Sequence, residues 1–367
     1  MSDQQPLFSD FETTLMRQLI SEASAFKGKT KPNPVVAAAV FKNDKCLSIG
    51  VHQRAGDDHA EVIALSSLSD CEGASIMVTL EPCTHYGKTP PCVEAIINAG
   101  IKDVIFASHD PNPLVQRVSA QQILEEAGVR VRVGLCATEA EALNKYYYHF
   151  HNHKRPYVLL KAATSLDGKI ALASGESKYI TSEESLRKVH EYRAQVDAIV
   201  IGQQTVLLDD ASLSVRYNQL ADFVNAPFKI ILSTVHKIDP THPVFSSEQG
   251  AQSIIVSQSL KSTLPNNALF WQLEETQNID WDSILHRSYE MGIQSIMIEG
   301  GSSVFSSAIN ANIVDELLLF MAPKLIGEKG AKSVFEFDSI SSLKDAHQLK
   351  DMSINHIGPD IFINAYF

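Results

Sequence analysis

His59 and Glu61 stand together in the run His-Ala-Glu, with Cys83 twenty-four residues after the histidine and Cys92 nine further on. One imidazole and two thiolates are the soft ligand set that zinc favours in tetrahedral geometry, and three protein ligands leave the fourth position open, as a catalytic zinc requires. Glu61 can face water at such a site without binding the metal, which suits it to move protons. Cys92 falls where a helix begins, in Pro90-Pro-Cys-Val-Glu-Ala, and unsatisfied backbone N–H groups there favour its thiolate. Two plainer readings compete: a structural zinc knuckle, for which His85 would be the fourth ligand, and unrelated buried cysteines.

Such groups need a framework, and the first half supplies one. Phe11, Leu15, Leu19, Ala23 and Phe26 recur at near-helical spacing, predicting an amphipathic helix. Residues 35–41, 75–80 and 104–107 read as buried strands, and 61–68, 93–99 and 119–127 as helices, the last two stopped by Gly100 and Gly128. Strand–helix alternation of this kind predicts an α/β sheet with helices packed on it. The His- and Tyr-rich stretch 144–156 reads as a helix end and interdomain linker. Domains over 1–150 and 155–367 follow.

The second half restarts with a strand at 157–163 and a turn, Ser165-Leu-Asp-Gly-Lys169. Thr181-Ser-Glu-Glu184 reads as a capping box opening a helix to about Ala194. Residues 198–201, 229–232, 253–256, 295–298 and 317–321 read as strands of a second α/β domain. The strand at 295 runs into Glu299-Gly-Gly-Ser-Ser303 and a helix, a design in which glycines let the backbone approach a phosphate and the helix N-terminus favours the anion; a tight turn is the plainer alternative. No G-x-G-x-x-G occurs, so a Rossmann cofactor domain is unsupported.

Composition bounds the function. In 367 residues, 44% are hydrophobic and 20% charged, which excludes a largely disordered chain. A net charge of −12 disfavours broad binding to nucleic acid or anionic membrane, while a small phosphorylated substrate remains compatible with locally gathered Arg and Lys. No apolar run approaches the roughly 20 residues of a membrane span. An acidic N-terminus and an odd number of cysteines, Cys46, Cys71 and Cys136 beside the two already named, point to a reducing cytoplasm.

H-x-E followed by P-C and a second Cys marks zinc-dependent nucleobase deaminases. His59-Ala-Glu-Val, Thr79-Leu-Glu-Pro-Cys-Thr-His85 and Gly87-Lys-Thr-Pro-Pro-Cys92 resemble the deaminase half of the bifunctional riboflavin-biosynthesis deaminase–reductases, as do Pro32-Asn-Pro34, His52-Gln-Arg-Ala-Gly56 and Asp110-Pro-Asn-Pro113. Ser165-Leu-Asp-Gly-Lys169, Ser174-Gly-Glu-Ser177, Thr205-Val-Leu-Leu-Asp-Asp210, Glu299-Gly-Gly301 and Ala322-Pro-Lys-Leu-Ile-Gly327 resemble the reductase half. The resemblance implies a cytidine-deaminase-like α/β/α N-terminal domain and a dihydrofolate-reductase-like α/β C-terminal domain. It implies hydrolytic deamination of a diaminopyrimidinone ribosyl phosphate, then NADPH reduction of the ribose, in a homo-oligomer (dimer or tetramer).

The same resemblance implies site residues. His59, Cys83 and Cys92 would hold Zn2+ and Glu61 would move protons; Asn33, His52 and Lys88 would line the base pocket. Ala163, Tyr179, Thr205, Asp209 and the run Gly301, Ser302, Ser303, Val304, Phe305, Ser306, Ser307 would meet NADPH. Ser177, Arg193, Leu213, Arg216 and Glu299 would meet the substrate, with the planar fork of arginine suited to its phosphate. Four places depart from the family: Ala37 for Gly, in a strand expected to floor the deaminase pocket, no glycines after Asp110-Pro-Asn-Pro113, Tyr179 for Trp, and Ala211 for Pro. They keep open a diverged relative acting on another aminopyrimidine or a pterin.

Overall fold

Helix α1 (Asp10–Ser24) starts with a reciprocal cap: Ser9 Oγ accepts from Glu12 N, and the Glu12 carboxylate accepts from Ser9 N. From there the computed structural model describes residues 7–86, 90–115, 118–178, 180–216, 226–247, 250–274, 279–337 and 341–367. The chain divides into two compact units, Met1–Lys154 and Arg155–Phe367.

In the first unit, strands β1 (Ala37–Lys42), β2 (Lys45–Val51), β3 (Ser75–Val78), β4 (Asp103–Phe106) and β5 (Arg130–Val133) form one sheet in the order β2-β1-β3-β4-β5. The pair β1–β2 and its junction with β3 are antiparallel, and β3, β4 and β5 run parallel. Helices α2 (Ala60–Ser66), α3 (Cys92–Asn98) and α4 (Ala120–Glu126) share one apolar cluster with Ala38 and Val40 of β1. On the other face, α1 and α5 (Ala137–Leu143) pack on Ala37, Ala39 and Phe41. A strand covered on both faces reads as a continuous apolar run, with its side chains still alternating between the two clusters.

That alternation corrects the expectation for Ala37. Its methyl lies among Leu15, Met16 and Met77 on the α1 face, opposite to the helices α2 and α3 that carry the candidate metal ligands. The stretch after α5 is also more than a linker. Helix α6 (Lys145–His153) donates from Tyr147 Oη to Asp110 (2.8 Å), and the Asn144 amide makes two hydrogen bonds to the Val35 backbone (2.8 and 2.9 Å).

The second unit is built on nine strands: β6 (Tyr157–Ser165), β8 (Ala198–Gly202), β9 (Phe228–Leu232), β11 (Ser253–Ser257), β13 (Ala268–Gln272), β14 (Ser295–Gly300), β15 (Glu316–Ala322), β17 (Lys350–Ile357) and β18 (Asp360–Tyr366). Their order is β13-β11-β9-β8-β14-β6-β15-β18-β17, parallel as far as β15 and antiparallel in the last two. Short ladders join β7 (Lys169–Ala171) to β16 (Lys332–Ser333) and β10 (Val235–His236) to β12 (Ser259–Leu260). Helices α7 (Glu183–Gln195), α8 (Gln203–Asp209), α9 (Trp281–Glu290) and α10 (Ser302–Asn310) complete it, the last two contributing to its main apolar cluster.

The helix expected to open at Thr181 is capped one residue later, by Ser182, whose hydroxyl accepts from Ser185 N. The glutamate of a capping box is replaced by Asp360 of β18, which accepts from Ser182 N (2.7 Å) and from Ser185 Oγ (2.6 Å). A tertiary partner 178 residues away has taken the local role.

Candidate active sites

The loops and helix starts at one end of the first sheet gather the metal-ligand set. His59 is the N-cap of α2, Cys83 lies in the loop after β3, and Cys92 is the first residue of α3. His59 Nδ1 is 3.1 Å from Cys92 Sγ and 3.4 Å from Cys83 Sγ, and the three ligand atoms lie within 4.8 Å of one another. Tetrahedral zinc with ordinary Zn–S and Zn–N bonds puts neighbouring ligands about 3.5–3.8 Å apart. The cluster therefore fits a zinc ion after a small outward movement. Among the described residues His85 is not part of it, so the three-ligand arrangement is favoured over the knuckle.

Electrostatics separates the two thiols. The N–H at the start of α3 donates to Cys83 Sγ (3.3 Å), so the helix start stabilises Cys83 rather than Cys92, contrary to the sequence expectation. A hydrogen bond from Cys92 lowers the Cys83 thiol, and the same contact raises that of Cys92. Glu61, 3% exposed in the first turn of α2, is pushed up to about 7 by burial and then by the charge on Cys83. A carboxyl poised there can both take and return a proton near neutral pH.

Close approach of α2 to the sheet depends on Gly50 in β2, where a Cβ would lie nearest the Ala60 carbonyl oxygen and 2.5 Å from Ala64 N. His52, 3% exposed, follows on the same strand end. Its Nδ1 faces the Asp58 carbonyl (3.1 Å), an acceptor only, so Nδ1 carries the hydrogen and Nε2 accepts from the Asn33 amide (3.4 Å). Asn33 is exposed, and this contact leaves its side-chain carbonyl oxygen as the acceptor not used by His52. Lys88 lies outside the described residues.

In the second unit the candidate residues meet at the carboxyl ends of the adjacent strands β8, β14 and β6, where ligands of open parallel sheets bind. Gly301, at φ +79, caps α10; a Cβ on it would come 3.2 Å from Thr205 Oγ1, and one on Gly300 3.1 Å from Thr205 Cγ2. The glycines thus allow both the turn and the approach of α8. Ser302 and Ser303 open α10, whereas Phe305 is in the core, and Ser306 and Ser307 accept from Glu336 N and Trp281 Nε1. Val304 is mostly buried but still lines, with Ser303, the cavity described below. Ser177 Oγ donates to Asp209 (2.5 Å), and Ala163 lies on β6 opposite Phe320 of β15. Tyr179 lies outside the described residues.

Arg193 and Glu299 are joined to each other by two hydrogen bonds of 2.6 and 2.7 Å, both side chains nearly buried, so the guanidinium fork is taken by a carboxylate. Arg216 is exposed and has no side-chain partner among the described residues; its backbone N–H donates to His190 Nδ1 (3.0 Å). Leu213 is buried with φ +54, a backbone region that a leucine enters only under constraint. Two features escaped sequence reading. Lys161, a single cation in the apolar run of β6, is held down by burial and senses Glu299 and Asp209; its place in such a run was the available signal. A cavity of about 390 Å³ beyond Gly202 and Ser303 is lined by Ser233, Thr234, Lys237 and Gln258, from elements far apart in sequence. Ser233, Thr164 and Ser302 each leave a buried hydroxyl without a partner among the described residues. The unsatisfied Ser302 at the start of α10 and Ser233 on the cavity wall fit a dinucleotide carrying phosphates.

Residues 156–363 match the RibD C-terminal domain, and residues 9–108 match the cytidine and deoxycytidylate deaminase zinc-binding region. Riboflavin biosynthesis protein RibD of Bacillus amyloliquefaciens is 40% identical over 359 residues, 96% of each chain. The chain belongs to the RibD family. RibD of Escherichia coli (strain K12) is 35% identical over 360 residues, covering 95% of this chain and 97% of its own. Two crystal structures cover 97% of the chain and 98% of their own at 32% identity. One is a diaminohydroxyphosphoribosylaminopyrimidine deaminase/5-amino-6-(5-phosphoribosylamino)uracil reductase from Thermotoga maritima, with a TM-score of 0.85; the other is Acinetobacter baumannii RibD, with 0.87. As a member of that family, the chain is a bifunctional enzyme of riboflavin biosynthesis, a zinc deaminase in its first half and an NADPH-dependent reductase in its second, acting on a small molecule. Among the described residues no helix is long and apolar enough to cross a membrane.

Proposed function

We propose that the first unit deaminates 2,5-diamino-6-(5-phosphoribosylamino)pyrimidin-4(3H)-one and that the second reduces the ribose of 5-amino-6-(5-phosphoribosylamino)uracil to the ribityl form. The observation that carries the first step is the convergence of His59, Cys83 and Cys92 beside the buried Glu61. When bound by those three residues, zinc supplies the Lewis acidity that activates water. Glu61 takes one proton from the water and passes it to a ring nitrogen, then takes a second from the hydroxyl added to the ring carbon and hands it to the departing amine, which leaves as ammonia while that hydroxyl becomes the carbonyl. Asn33, oriented by His52, accepts a hydrogen bond from the pyrimidine.

For the second step, Gly301, Ser302, Ser303 and Thr205 would hold the cofactor's phosphates, with its adenosine end in the cavity beside Ser233 and Lys237. NADPH, when bound, brings the hydride, and the protein contributes alignment. Ser177 and Asp209 orient the reacting ends, Glu299 fixes Arg193, and Arg216 meets the substrate phosphate. The outward turn of the Ala37 methyl removes one reason to favour a different pyrimidine or pterin.

A homo-oligomer, dimer or tetramer, is part of the proposal: edge strand β17 is exposed along its length, with Met352 and Ile354 both 58% exposed. Such an edge invites pairing with a second copy, which sedimentation at graded concentrations would detect. Five free thiols support a reducing cytoplasm, and the acidic charge supports the absence of a nucleic-acid partner.

The test is incubation of zinc-loaded protein with the diaminopyrimidinone ribosyl phosphate, with and without NADPH, read by mass spectrometry. Amine-to-carbonyl conversion without NADPH, then addition of two hydrogens with it, is expected. Absence of both products overturns the substrate assignment. Glu61→Gln should lower ammonia release by about 10²–10⁴-fold while zinc content and NADPH-dependent reduction persist.

A further inference from the structure

Two stretches singled out in the sequence, 165–169 and 322–327, take no part in the chemistry above. They leave the carboxyl ends of β6 and β15, which are neighbours in the sheet. Asp167 ties them together: its carboxylate accepts from Ser165 Oγ (2.6 Å), Ile326 N (3.0 Å) and Gly327 N (2.8 Å). The Ser165 hydroxyl first, then those amides, hold the carboxyl below the usual range. Beside it Leu166 N donates to Lys324 O (2.7 Å), β7 pairs with β16, and Ala173 N donates to Glu328 (2.9 Å).

Asp167 is exposed and Leu166 and Leu325 next to it are 51% and 74% exposed, so the join seals no core. It leads instead to the reductase site. Lys324 Nζ donates to Ile180 O (2.8 Å), and the turn closed by Leu172 N donating to Glu176 O delivers Ser177 to Asp209.

We propose that Asp167 is a positioning residue of the reductase, clasping the loops after β6 and β15 so that Ser177 stays bonded to Asp209, the residue assigned to NADPH, and the wall is held in the form that binds the cofactor. The proposal rests on the reductase site as assigned above. Charge-assisted bonds to backbone amides are the strong kind, and a wall ordered only part of the time lowers apparent affinity by that fraction.

The experiment uses full-length, zinc-loaded wild type, Asp167→Ala and the near-isosteric Asp167→Asn, which guards against a folding defect. NADPH binding is titrated by quenching of Trp271 and Trp281 fluorescence, KM and kcat of reduction are measured, and amide exchange is followed at Ile326 and Gly327. For Asp167→Ala, the NADPH Kd and KM rise about tenfold, the two amides exchange faster, and ammonia release is unchanged; Asp167→Asn, keeping one acceptor, shifts in the same direction by less. NADPH Kd and KM equal to wild type in both variants overturn the clasp, whatever happens to Tm. Failure of the wild type itself to bind NADPH overturns the site assignment, and the clasp with it.

Discussion

Gly50→Ala is the sharpest test of how the fold positions the deaminase. Gly50 does not have a positive φ, so alanine could adopt its backbone; the conflict is purely one of space. The new methyl would overlap the Ala60 carbonyl oxygen, stand 2.5 Å from Ala64 N and 2.9 Å from Ile63 Cβ, where ordinary contact begins at 3.4 Å. Helix α2 must retreat by about 1 Å, at a cost of about 1–3 kcal/mol for an overpacked contact. Ala60 lies between His59 and Glu61, so the retreat moves a metal ligand and the proton carrier together. Misplacement on that scale costs roughly 10²-fold in rate, and zinc affinity should fall with it. Ammonia release and zinc content are measured on the same preparation, with reduction of pre-deaminated substrate as the control from the second unit. A variant with full zinc and wild-type ammonia release would refute the claim that this contact sets the position of α2.

Chelation should abolish ammonia release and spare NADPH oxidation on pre-deaminated substrate, measured before and after zinc is restored. Glu299→Gln leaves Arg193 half-paired in a nearly buried site; about 3–5 kcal/mol of stability should be lost, read by urea unfolding of tryptophan fluorescence, since both tryptophans lie in the second unit. His190 is held down to about 4 by burial and then by Arg193, and its Nδ1 accepts from Arg216 N. A group whose folded pKa lies below its unfolded value near 6.5 lends stability that is complete above pH 6.5 and is lost as pH falls towards 4. The fluorescence-detected Tm should therefore drop across that window, and His190→Gln should flatten the drop; an unchanged slope would refute the assignment.

Strand and helix identities were legible where periodicity and punctuation agreed, as for β1, β3, α1 and α10. Strand β17 was not: it lies at the sheet edge with every residue but its last exposed, so no face carries a burial pattern to read. The start of α7 was missed by one residue because its capping carboxylate comes from Asp360, which no local window contains. Ligand types at the metal site were legible because zinc chemistry restricts them to few residues at loop and helix starts.

Sequence alone determined the chemistry available: which side chains could bind zinc, which could move a proton, and the glycine pair on which a phosphate can rest. Tertiary structure decided how each was used. It turned the methyl of Ala37 away from the metal side, gave the helix-start N–H to Cys83, joined Arg193 to Glu299, and opened a cavity from the ends of non-consecutive strands. The reason is physical: residue type sets what a group can donate, accept or ligate, whereas its partner and its protonation depend on neighbours that only the packed chain brings within a few ångströms.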